Sequence, residues 1–141
     1  MLLSDLIAFI KANRDKGRGE AFGWSDEELI AYIHWADTFN YLFVESDENG
    51  FTGVAVMYPI AKKLEQEHED LLTFKDIIPA TAEQSNDLCV MDFIATTLEA
   101  KKNLVIQLKD RYPNWESQEK LALRFGIIKK LSNKYINLLT T

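Results

Sequence analysis

Residues Asp87 to Phe125 constrain the fold of this chain most, because they spell an apolar strand, a helix and a second strand in succession. Asp87-Leu-Cys-Val-Met-Asp-Phe-Ile-Ala95 is an almost unbroken apolar run, the composition of a strand covered on both faces. Thr96-Thr-Leu-Glu99 then offers a capping box, a hydroxyl followed three residues on by a carboxylate. The helix after Thr97 places Leu98, Leu104, Val105, Leu108 and Tyr112 along one side, and Pro113 stops it. Leu121, Leu123 and Phe125 alternate with Ala122 and Arg124, the pattern of a strand. A strand–helix–strand unit closes a parallel pair, and the end of its first strand is a common ligand site.

The remaining segments supply elements to pack against this unit. Ser4 is a candidate cap for a first helix with Leu6, Ile7, Phe9 and Ile10 on its apolar side, running into a charged loop from Asn13 to Gly19. Ser25-Asp-Glu-Glu28 is a capping box that opens a helix to about Asp37, with Leu29, Ile30 and Ile33 inward. Tyr41 to Glu45 and Phe51 to Tyr58 have strand character, and Asp47-Glu-Asn-Gly50 between them predicts a β-hairpin whose second strand ends at Pro59. Residues 60–73 predict a surface helix, and Phe74 to Asn86 a loop. Ile127 to Leu139 suits a strand or a short helix capped by Ser132. No repeat or interdomain linker interrupts residues 1–141, so one α+β domain is expected.

Charge and composition narrow the functional classes. A net charge of −6 argues against nonspecific nucleic-acid binding, which needs clustered Lys and Arg. The single Cys89 cannot form an intrachain disulfide and suits a reducing compartment. No apolar run approaches the ~20 residues of a membrane span, and Met1-Leu-Leu-Ser-Asp lacks the positive flank of a signal peptide. A cytoplasmic protein is expected.

Several residues carry possible chemistry. Asp92, a carboxylate within an apolar strand, suits orienting a base or holding a substrate amine; an outward-facing residue, or one paired with Arg124 or a lysine, is the plain alternative. Arg14-x-x-Gly17-x-Gly19 has the spacing of a phosphate loop but follows a helix-like segment rather than a strand. Glu65-x-x-His68 is half of a di-iron ligand set in a single copy, and His34 has no spaced partner, so no metal site is expected. Cys89 with His34 or His68 lacks a local nucleophile signature. Lys129, Lys130 and Lys134 suit a solvated strand edge, and Trp24, Trp35 and Trp115 suit core and rim anchors.

The element order, with the hairpin from Tyr41 to Tyr58, Asp92-Phe-Ile-Ala95, the helix to Tyr112-Pro113 and Leu121-Ala-Leu-Arg-Phe125, resembles a reduced GNAT-like acyltransferase fold. The closest likeness is to phage GNAT-like proteins and to toxin-activating lysine acyltransferases. The resemblance implies a twisted mixed sheet flanked by helices, and an N-acyltransferase taking acetyl-CoA, another acyl-CoA or a different acyl donor to an amine acceptor. It implies amides of Thr96, Thr97 and Leu98 facing the pyrophosphate, Lys101 or Lys102 neutralising phosphate charge, and Asp92 near the substrate amine. Two departures stand out. GNAT enzymes usually follow the central strand with Arg/Gln-x-x-Gly-x-Gly/Ala, whereas this chain has Thr-Thr-Leu-Glu-Ala-Lys-Lys without glycine, and His34 lies too near the hairpin to match the early histidine of the toxin-activating enzymes. The alternative implied is a catalytically inactive phage or bacterial accessory protein working through protein–protein contacts, with Asp47-Glu48 and Glu65 to Asp70 meeting a basic partner.

Overall fold

Apolar residues at helical spacing set the first two elements of the computed structural model, which describes residues 2–17, 24–61, 84–124 and 127–131. Helix α1 (Leu3–Gly17) buries Leu6, Ile7 and Ile10 and packs Phe9 against the same core. The amides of Asp5 and Leu6 donate to the Leu2 carbonyl, so Ser4 lies inside the helix and does not cap it. The helix also continues through Asn13 to Gly17, where a loop was expected. Helix α2 (Asp26–Thr38) opens with the expected capping box: Ser25 Oγ accepts from the Glu28 amide at 3.2 Å, and Glu28 Oε1 from the Ser25 amide at 3.1 Å. Its buried stripe is Leu29, Tyr32, Ile33 and Ala36; Ile30 falls off that stripe and is 45% exposed rather than inward.

Strands β1 (Leu42–Asp47) and β2 (Gly50–Ala61) form the hairpin. Asp47 Oδ1 accepts from the Asn49 amide at 2.8 Å, and Gly50 takes φ +123°, a conformation that glycine alone adopts without strain. Pro59 does not end β2. The Met57 amide donates to the Tyr41 carbonyl, so the nitrogen two residues on faces the same side, where β1 has already finished. Its missing N–H therefore removes no ladder bond.

Strand β3 (Gln84–Ala95) starts three residues before the expected Asp87 and runs antiparallel to β2. Helix α3 (Leu98–Arg111) and a 3₁₀ turn (Trp115–Ser117) lead to β4 (Lys120–Arg124), parallel to β3, and β5 (Ile127–Lys130) returns antiparallel to β4. The described residues thus form an α+β fold on a five-stranded mixed sheet in the order β1-β2-β3-β4-β5. Residues 127–130 are strand, which settles that part of the tail, and Ile60 belongs to β2 and not to a helix. The rest of the expected 60–73 helix and most of the loop after it lie outside the described residues. So do Gly19, Glu65, His68, Phe125, Ser132 and Lys134.

The sheet is covered on both faces. Helices α1 and α2 pack on Val54, Val56, Tyr58, Cys89, Met91 and Ile94. Helix α3 packs on the other face, where Leu104, Leu108, Tyr112 and Trp115 meet Phe43, Ala55, Met57 and Leu88. Leu98, expected inward, is 61% exposed at the start of α3, and Ala100 lies against the sheet in its place. That small residue lets the helix close on Gly53, where an added Cβ would stand 2.9 Å from Leu104 Cδ1 and 3.3 Å from Ala100 Cβ.

Candidate functional site

One extra residue in β3 creates the main irregularity of the sheet. Val56 faces Asp92 and Met57 faces Val90, so Met91 is left over as a β-bulge. Side chains of a strand alternate between faces, and a bulge breaks that alternation by setting two successive side chains on one face. Cys89 and Met91 point to the α1–α2 face; beyond the bulge so do Asp92 and Ile94, while Phe93 packs toward α3. Were the strand regular with Met91 kept in it, strict alternation would point Asp92 at α3.

The bulge delivers Asp92 to Tyr32 of α2, whose hydroxyl donates to Asp92 Oδ2 at 2.6 Å. Asp92 is 1% exposed and Tyr32 is fully buried. Burial pushes the Tyr32 phenol well above its usual range, and the neighbouring Asp92 charge and their hydrogen bond push it further, so the phenol stays a donor. Burial likewise raises Tyr58, followed by the nearby Cys89. Around this pair Trp24 meets Tyr32 edge-on with centroids 4.9 Å apart, and Trp35 meets Tyr58 edge-on at 5.1 Å. Asp92 is thus neither an outward-facing strand residue nor a surface ion pair.

The second feature lies beside it. Strands β3 and β4 pair only at Leu88↔Lys120, Cys89↔Leu121 and Val90↔Ala122. Strand β3 runs on to Ala95, and β4 runs on to Arg124 paired with β5. Among the described residues, no strand pairs with β3 on that side beyond Val90. The ladder register turns the peptide groups of Asp92 and Ile94 toward β2, so those of Phe93 and Ala95 face the parting. An extended chain laid there has backbone donors and acceptors to meet.

The parting leads to the start of α3. Thr97 caps this helix, its Oγ1 accepting from the Ala100 amide at 3.0 Å. The expected Thr96–Glu99 capping box does not form, because the cap sits one residue later and Glu99 falls at the second helical position. The Thr96 amide and hydroxyl both approach the Thr52 carbonyl, at 2.8 and 3.0 Å, so this amide does not face a ligand as expected. Helical geometry leaves the Leu98 and Glu99 amides without an acceptor four residues back. Lys102 is exposed and Lys101 half-buried on the next turn. These residues share one helix start, whereas the Asp92 side chain points to the opposite face of the sheet.

The other candidates separate. Cys89 is fully buried while His34 is exposed. Arg14 and Gly17 belong to α1, which removes the strand context a phosphate loop requires. Lys130 pairs with Glu119 at 3.3 Å on the surface. Trp115 is buried beneath Lys120, whose ammonium donates to the Trp115 carbonyl and lies 4.5 Å from the ring centroid. Among the described residues no helix is long and apolar enough to cross a membrane. Tyr32 was missed in the sequence, although its place among Leu29, Ile33 and Ala36 marks it as inward. No family model matches the chain, and no curated protein matches its sequence.

Proposed function

We propose that the chain is a small GNAT-like N-acyltransferase that takes an acyl-CoA or another acyl donor to an amine acceptor. The observation that carries this reading is that β3 and β4 stop pairing after Val90↔Ala122, so that among the described residues no strand meets the Phe93 and Ala95 peptide groups. An acyl donor with an extended, amide-bearing arm fits that edge. The Leu98 and Glu99 amides, with Lys101 and Lys102, are the groups that would meet its phosphates, against the repulsion of the Glu99 carboxylate. The donor supplies the activated thioester carbonyl. What the chain contributes is positioning along β3 and exclusion of water by the packed α1–α2 face, and attack of an amine on a thioester needs little beyond positioning, deprotonation and an oxyanion donor.

Asp92 enters this scheme through the strand rather than by contact with the amine. Held by Tyr32, it fixes the bulge at the mouth of the parting. Its burial also supports the second reading, an accessory protein of the same architecture that works through a protein partner without chemistry.

Thermal-shift titration with CoA and acetyl-CoA, followed by calorimetry, tests the proposal. A ligand that binds only the native state stabilises it by about 2.7 kcal/mol at a hundredfold excess over the dissociation constant. Saturable stabilisation that Lys101→Glu weakens is the expected outcome. Absence of any shift at millimolar CoA would overturn acyl-CoA as the donor and leave the partner-binding reading.

A further inference from the structure

We propose a separate interaction surface: the groove between α1 and the outer edge of β1 takes an extended basic peptide, which adds to the sheet as a strand. The groove encloses about 950 Å³. Its floor is apolar, with Phe9 of α1 and Phe51 of the hairpin meeting at 6.3 Å and Val44 between the two elements. Its rim is acidic: Asp5 stands on the helix side, Asp47 and Glu48 on the hairpin side, and among the described residues no Lys or Arg lines it. Lys11, the cation of α1 that is described nearby, is paired with Asp26 at 2.8 Å.

The strand beside the groove has backbone to offer. β1 is an edge of the sheet, and among the described residues no strand pairs with its outer side. Tyr41 and Phe43 bond inward to β2, so the peptide groups of Leu42, Val44 and Ser46 point outward. Gln107 of α3 donates to the Val44 carbonyl at 3.0 Å and covers that stretch of the edge. Ser46, which lines the groove, lies past this cover. A peptide strand entering there projects alternate side chains under α1. Lys or Arg suits that position, because an apolar stem lies on the Phe9–Phe51 floor while the cation reaches the carboxylate rim. A second copy of this chain, with its net charge of −6, is disfavoured by repulsion.

The test is fluorescence anisotropy of the full chain with a labelled peptide of about ten residues alternating Lys and Val. The expected result is saturable binding that weakens on the order of tenfold both in the exposed-site double variant Asp5→Lys, Glu48→Lys and on raising salt from roughly 50 to 500 mM. Circular dichroism of the variant confirms its fold. An affinity unchanged within about twofold in the variant, or equal binding of a control peptide of the same length alternating Glu and Val, would overturn the charge complementarity. Equal binding of a peptide N-methylated at alternate residues would overturn strand addition.

Discussion

Tyr32 and Asp92 form a buried polar pair in a wall of aromatic side chains, and each makes the other tolerable there. Tyr32→Phe keeps the ring and removes the donor, and it should cost about 1–3 kcal/mol in urea unfolding because a buried carboxylate loses a bond. Alkaline pH provides an independent check. The phenols of Tyr32, Tyr58 and Tyr112 are all raised in the folded state, first by burial. Above about pH 10 the unfolded chain releases protons that the folded one retains, so their stabilisation is complete below that pH and is lost as pH rises further. Equilibrium unfolding between pH 8 and pH 12 should show stability falling only above about 10, and less steeply in Tyr112→Phe. A Tyr in a helix and an Asp in a strand, 60 positions apart, carry no sequence mark of their pairing, which is why Asp92 was readable as a surface residue.

The elements were legible where local chemistry decides them. Ser25–Glu28, Asp47–Gly50 and Pro113 mark a helix start, a turn and a helix stop through bonds made within a few residues. The sequence was misleading where tertiary contacts choose among equivalent options. Thr96 and Thr97 are both plausible caps, and Thr96 is taken by Thr52 of the neighbouring strand, which leaves Thr97. Thr97→Ala should therefore lower stability by about 1 kcal/mol in denaturant titrations, and Gly53→Ala by about 1–3 kcal/mol because α3 must yield to the new methyl. The bulge was invisible because Met91 is as apolar as its neighbours. Deleting Met91 removes the bulge and restores strict alternation with Asp92 still on the α1–α2 face, so near-ultraviolet dichroism and cooperative unfolding should survive the deletion. Met91→Ala should keep both at a cost of about 2–5 kcal/mol.

At the scale of the whole molecule, two helices cover one face of the sheet and one covers the other, while the parallel pair at its centre stays joined over three residue pairs only. The strand–helix–strand pattern of Asp87 to Phe125 anticipated the parallel pair. The parting could not be read there, since the length of the β3–β4 ladder depends on tertiary pairing that the local pattern does not encode. Amide hydrogen exchange at single-residue resolution, with and without acetyl-CoA, reads that edge of β3 residue by residue. In the free chain the Phe93 and Ala95 amides should exchange faster than those of Asp92 and Ile94, and saturating acetyl-CoA should slow them. Equal protection of all four amides in the free chain would contradict the open edge, and exchange at Phe93 and Ala95 unmoved by bound acetyl-CoA would contradict its use as the donor's seat.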